Sequence, residues 1–165
     1  MSFSPALVAR ASALLKLYEE EGLRIATAES CTGGLVAALL TEVPGSSAVV
    51  ERGFVIYSNE AKTEMLGVPA DLIARHGAVS VAVARAMAEG ALARSRADVS
   101  VAVTGIAGPG GGTATKPVGL VHFALARQGN TTVLERRYGD PGRSIVRGKA
   151  VEDALDLLHR TLRAP

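Results

Sequence analysis

Three short segments carry side chains that could do chemistry together. The first is Ala28-Glu29-Ser30-Cys31-Thr32-Gly33-Gly34. An extended run, Leu23 to Thr27, leads into it, and a helical pattern, Leu35 to Leu40, leads out. A serine hydroxyl therefore sits where a strand gives way to a helix. Free backbone N–H groups at such a junction stabilise negative charge, which suits a nucleophile or an anion site. Ser30 capping the next helix is the structural alternative. Cys31 is the rival nucleophile, but it needs a partner that makes the thiolate. A cysteine without one packs as a small apolar residue.

The second segment is Gly53-Phe54-Val55-Ile56-Tyr57-Ser58-Asn59-Glu60-Ala61-Lys62. Tyr57 ends an extended run and Lys62 starts a helix, so a short turn folds them together. Serine is a poor nucleophile without a base. A lysine amine becomes that base when its pKa falls from about 10.4 toward about 7–8, through desolvation or nearby positive charge. A tyrosine hydroxyl could relay the proton. A snorkelling surface lysine and a strand-edge tyrosine form the alternative.

The third segment is Thr104-Gly105-Ile106-Ala107-Gly108-Pro109-Gly110-Gly111-Gly112, closed by Lys116. Successive glycines let the backbone approach a ligand and turn N–H groups inward. The Gly-Lys-Ser/Thr ending of a phosphate-binding P-loop is missing, and so is a Gly-x-Gly-x-x-Gly opening a helix. Arg143 and Arg147 stand at the start of the last predicted helix. A cation there opposes the helix dipole and favours an anionic partner, unless the pair is simply solvated. His76, His122 and His159 fall in a short helix, a strand and the last helix. No His/Cys/Asp/Glu spacing matches a metal site.

Periodicity supplies the elements that must position these residues. Ser4-Pro5 reads as a helix cap followed by proline at the first helical position, and the helix stops near Gly22. Strands are predicted over 23–28, 49–57 and 99–104, the last a continuous apolar run that is buried on both faces. Helices are predicted from Gly33 to Pro44, over 59–66, from Pro69 to Gly77, over 81–95 and from Asp140 to the end. Two further strands, 120–126 and 132–138, form a hairpin around Gly129-Asn130. Helices between and around strands predict a layered α/β domain. The three chemical segments each follow a strand, so they could share one sheet edge, where open α/β sheets bind ligands.

Composition narrows the function classes. The 165 residues suit one domain spanning 1–165, and 48% hydrophobic with 21% charged residues is a globular balance. Aromatics are only 4%, tryptophan is absent and the net charge is +2, which argues against a nucleic-acid partner. One cysteine precludes an intrachain disulfide and is compatible with a cytoplasmic setting. No window approaches the ~20 apolar residues of a membrane span, so no membrane association is expected.

The chain resembles the family of the C-terminal domain of the competence/damage-inducible protein CinA. The resemblance rests on Thr27 to Gly34, Val43-Pro44-Gly45-Ser46-Ser47, Gly53 to Lys62, Val103 to Gly112 and Lys116-Pro117-Val118-Gly119. It implies a single-domain, three-layer α/β/α sandwich with a mixed central sheet. It also implies an amidohydrolase converting nicotinamide mononucleotide and water to nicotinic acid mononucleotide and ammonia. No metal or cofactor is implied; a nucleotide substrate and a homo-oligomer are. Ser30 falls on the family nucleophile, and Tyr57 and Lys62 on its catalytic partners. Cys31, Thr32, Gly33 and Gly34 would line the substrate site, with Thr104, Gly105, Ile106, Ala107, Gly108, Arg143 and Arg147. Thr113-Ala114-Thr115 departs from the acidic residues that relatives often carry there. A non-catalytic nucleotide-binding regulatory module on the same fold is the competing reading. A short-chain dehydrogenase is disfavoured, because Lys62 follows Tyr57 after five positions rather than four.

Overall fold

A computed structural model describes residues 3–162. Its sheet has five strands: β1 (Ile25–Glu29), β2 (Val50–Val55), β3 (Val99–Gly105), β4 (Leu120–Arg127) and β5 (Asn130–Arg137), in the order β2-β1-β3-β4-β5. β1 runs parallel to β2 and β3, while β4 and β5 are antiparallel. The helices are α1 (Pro5–Glu20), α2 (Leu35–Thr41), α3 (Asn59–Leu66), α4 (Ala70–His76), α5 (Val81–Ala93) and α6 (Arg143–Thr161).

The chain leaves β1 through α2 to reach β2, then returns past β1 through α3, α4 and α5 to reach β3. The two crossovers travel in opposite directions. Right-handed crossovers running in opposite directions must place their helices on opposite faces. One core accordingly joins α1, α2 and α6 to Ile25, Val99, Val101, Val103, Val121, Phe123 and Leu125. The other joins α3, α4 and α5 to Ala28, Ala102, Ala124 and Ala126. The fold is therefore a single α/β/α domain with a mixed sheet, the architecture expected from the sequence. The alternation Val99, Val101, Val103 against Ser100, Ala102, Thr104 sends bulky side chains one way and small ones the other.

The small residues let α5 lie close to the sheet. Ser100 Oγ donates to the Ala88 carbonyl at 2.6 Å. A Cβ at Gly90 would meet the Leu66 carbonyl oxygen at 2.1 Å, so only glycine admits the α3–α5 contact.

Most element boundaries match the sequence reading, with four corrections. β5 starts at Asn130 rather than Thr132, so that Gln128-Gly129 forms the hairpin turn. β1 starts at Ile25 rather than Leu23 and includes Glu29. β2 ends at Val55, which leaves Ile56 and Tyr57 in the turn to α3. A 3₁₀ turn at Ser46–Ala48, held by Gly45 at φ 83°, was not expected.

Candidate active site

β1 is the point where strand order reverses, and the crevice beyond the carboxyl end of such a strand is open to ligands. Ser30 occupies that position. Its backbone N–H donates to the Val103 carbonyl at 2.9 Å, and its own carbonyl accepts from Gly33 N–H at 3.1 Å. Its side chain turns toward α3, where Lys62 Nζ lies 3.1 Å from Ser30 Oγ. Ser30 is 9% exposed and Lys62 only 1%.

The turn from β2 into α3 builds the lysine's surroundings. Ser58 caps α3 by accepting from Ala61 N–H at 3.0 Å. That capped turn points three carbonyls at Lys62 Nζ: Ile56 at 3.0 Å, Tyr57 at 3.3 Å and Ser58 at 3.4 Å. Burial lowers the Lys62 pKa below the ordinary lysine value, with Cys31 and the Glu60 carboxylate pulling the other way. A neutral amine here has two N–H donors for carbonyls and one lone pair for the Ser30 hydroxyl proton.

Tyr57 meets Lys62 through its backbone carbonyl. Its side chain is 61% exposed, and its hydroxyl accepts from Arg143 Nη2 at 3.0 Å. Arg143 Nη1 donates to the Gly108 carbonyl at 2.9 Å. Arg143 thus bridges the β2–α3 turn and the glycine loop. Arg147, one turn further along α6, donates from Nε to the Cys31 carbonyl and from Nη2 to the Thr32 carbonyl, both at 3.1 Å.

The remaining candidates divide between site and scaffold. Gly33 and Gly34 take left-handed conformations, φ 58° and 99°, which turn the chain into α2. Cys31 is buried in the core on the α6 face, and burial pushes its thiol up to about 12. Thr32 is fully buried, and its hydroxyl has no partner among the described residues. Thr104 Oγ1 donates to the Ala78 carbonyl at 2.9 Å. A Cβ on Gly105 would meet Val121 Cγ2 at 2.7 Å, so this glycine is set by packing on β4. Ile106 extends the ladder, donating to the Leu120 carbonyl, and Ala107 packs in the core. Gly108 supplies the carbonyl that Arg143 holds.

Ser30 does not cap α2. The cap residue is Gly34, which has no side chain to offer, and Glu29 takes the role instead. Its carboxylate accepts from Val36 N–H at 2.8 Å and Ala37 N–H at 3.1 Å, and from Thr27 Oγ1 at 3.4 Å. Glu29 is 1% exposed. The signal for this role is the acid itself, which at the end of a buried strand must find donors. Its charge also disfavours a Cys31 thiolate. Among the described residues no group of His, Cys, Asp and Glu could hold a metal ion, and no helix is long and apolar enough to cross a membrane.

Fold and site together define a class: an α/β/α domain with a buried serine–lysine pair beyond its switch-point strand. Residues 8–162 match the model of the CinA C-terminal domain, and the chain belongs to that family. It is 54% identical over 155 residues to a putative competence-damage inducible protein of Symbiobacterium thermophilum, covering 89% of this chain and 36% of that protein. A CinA-like protein of an Anaeromyxobacter species is 57% identical over 143 residues, covering 86% and 34%. The chain therefore spans about a third of the length of these curated relatives. Among solved structures, the competence/damage-inducible protein of Agrobacterium tumefaciens superposes with a TM-score of 0.95 at 52% identity, covering 99% of this chain and 100% of that one. A CinA superfamily protein of Klebsiella pneumoniae gives 0.91 at 34% identity, covering 95% and 98%.

Proposed function

We propose that this domain is an amidohydrolase that cleaves the carboxamide of nicotinamide mononucleotide through a serine nucleophile. The observation that carries the reading is the buried 3.1 Å contact between Lys62 Nζ and Ser30 Oγ. Neutral Lys62 takes the Ser30 proton as Oγ attacks the carboxamide carbon. The tetrahedral intermediate collapses, its C–N bond breaks, and the Lys62 ammonium returns the proton to the departing ammonia. Water then attacks the acyl-serine ester, giving its proton to Lys62, and nicotinic acid mononucleotide leaves as Ser30 is reprotonated. The Val36 and Ala37 N–H groups are occupied by Glu29, so oxyanion stabilisation falls to donors nearer Ser30 in the turn. Such donors contribute roughly 2.7–4 kcal/mol each where measured.

The Tyr57 hydroxyl accepts from Arg143, which leaves its own proton to hydrogen-bond the substrate rather than to pass between Lys62 and Ser30. In this reading the exposed Arg143 meets the phosphate, since a charged oxygen competes well against its neutral acceptors, while the more buried Arg147 has both its contacts on the Ser30 turn. The test is release of ammonia with formation of nicotinic acid mononucleotide by the purified domain. Ser30→Ala should abolish turnover while fold and nucleotide binding persist. Nucleotide binding by the wild type without ammonia release would instead establish a non-catalytic module. Full turnover in Ser30→Ala would remove Ser30 as nucleophile.

A further inference from the structure

Arg147 is the cation that the serine turn itself consumes. Two of its three guanidinium nitrogens donate to the carbonyls of Cys31 and Thr32. In a planar trans peptide the C=O and the following N–H point in opposite directions. Holding the Thr32 carbonyl therefore aims the Gly33 N–H the other way, onto the Ser30 carbonyl, where it donates at 3.1 Å. One peptide unit thus connects Arg147 to the backbone of Ser30. Holding the Cys31 carbonyl fixes the direction of the Thr32 N–H by the same rule.

The turn needs such a tie. Gly33 and Gly34 are consecutive left-handed glycines, the most permissive residues for backbone rotation. Val103 anchors Ser30 on its N–H side only. Glu29 fixes the start of α2 but accepts no hydrogen bond from Ser30 to Gly34. Although Leu35 N–H reaches back to the Thr32 carbonyl at 3.2 Å, Arg147 is the donor that holds the Cys31 carbonyl. The guanidinium also lies against Gly33, where an added Cβ would sit 3.5 Å from Arg147 Nη2.

We propose that Arg147 is a positioning residue that locks the Ser30–Gly34 turn in its attacking conformation through the Cys31 and Thr32 carbonyls. The proposal rests on the serine-nucleophile reading above, but it assigns Arg147 to the turn rather than to a substrate phosphate. Lysine keeps the charge and loses the two-pronged geometry. A misplacement of about 1 Å in a reacting group can cost about 100-fold in rate.

The experiment compares wild type, Arg147→Lys and Arg147→Ala by two readouts. The first is kcat and KM on nicotinamide mononucleotide and on its dephosphorylated nucleoside. The second is the rate of covalent labelling of Ser30 by a fluorophosphonate, which requires an attacking serine but no particular substrate. Positioning predicts that both variants lose kcat by roughly 10- to 100-fold with KM within about twofold. It also predicts equal losses on nucleotide and nucleoside, a matching fall in labelling rate, and partial recovery of Arg147→Ala by added methylguanidinium. Recovery by Arg147→Lys, or a KM rise confined to the nucleotide, would overturn it in favour of phosphate binding. A wild type that labels at Ser30 but releases no ammonia would defeat the substrate reading, while the labelling rates would still decide this one.

Discussion

Lys62→Met is the perturbation that tests the site most directly. Methionine has similar length and no proton to accept. General-base removal costs about 10²- to 10⁴-fold, equivalent to about 3–5 kcal/mol on the barrier. Lys62 is the only amine within hydrogen-bond reach of Ser30 Oγ among the described residues, so the loss should fall toward the upper end. Stability changes less, because two effects oppose each other. The Ile56 carbonyl loses its 3.0 Å amine donor, a loss of about 1–3 kcal/mol if water does not replace it. The variant also removes the cost of burying an amine. A net change within about 2 kcal/mol corresponds to no more than about 4–8 °C in Tm for a chain of this size.

The pH dependence carries the sharper sign. Burial holds the folded-state Lys62 pKa below its unfolded value of about 10.4. Between those two values the unfolded chain binds more protons, so stability rises with pH across that window. The gain is complete above about pH 10.4 and is lost as pH falls through the folded-state pKa. Lys62→Met should flatten that rise in a series of thermal melts. In the wild type, log kcat/KM for ammonia release should climb with pH and level off at an inflection below 10.4, as the amine becomes neutral. An inflection at or above 10.4, or a Lys62→Met variant within tenfold of wild type, would refute a neutral lysine acting as base.

Other substitutions separate the remaining roles. Cys31→Ala should retain turnover, and wild-type activity should resist brief iodoacetamide treatment at neutral pH, because the buried thiol is pushed up to about 12. Glu29→Ala leaves the Val36 and Ala37 N–H groups without their carboxylate, and should lower stability by about 2 kcal/mol, read as roughly 4–8 °C in Tm. Arg143→Ala should raise KM for the nucleotide by at least about tenfold more than for the nucleoside, consistent with loss of a charge-assisted contact of about 1.5–3 kcal/mol. Equal shifts on both substrates would detach Arg143 from the phosphate.

Much of this arrangement is written in side-chain periodicity, and the rest is not. Val99, Val101 and Val103 alternating with Ser100, Ala102 and Thr104 disclose a strand buried on both faces, because burial acts on side chains that a sequence displays. The ends of β1 and β2 are less legible. Leu23 and Tyr57 have strand-compatible side chains, yet β-ladder pairing stops short of both. Ser30 read alone is indistinguishable from a helix cap. Only the structure reveals that Glu29 satisfies α2 and leaves the serine free. The roles of Ile56, Ser58 and Arg147 were hidden for a different reason. They depend on backbone carbonyls, which every residue possesses and no sequence pattern marks.

The topology explains why such distant segments meet. The two crossovers lie on opposite faces and α6 packs on the face of α2, so the loop after β1 is flanked by α3 on one side and α6 on the other. Ser30 turns its hydroxyl to the α3 face, where Lys62 waits, and its following carbonyls to the α6 face, where Arg147 holds them. Under the proposed mechanism each face performs a separate task on one residue: one supplies the base and the other fixes the backbone. The division also predicts coupling through one residue. Effects of Lys62 substitutions on the proton and of Arg147 substitutions on geometry should combine only through Ser30. In a double variant the two losses should be far less than multiplicative, since an unaimed serine gains little from its base. Fully multiplicative kcat losses in Lys62→Met with Arg147→Ala would mean that the two faces do not act on the same nucleophile.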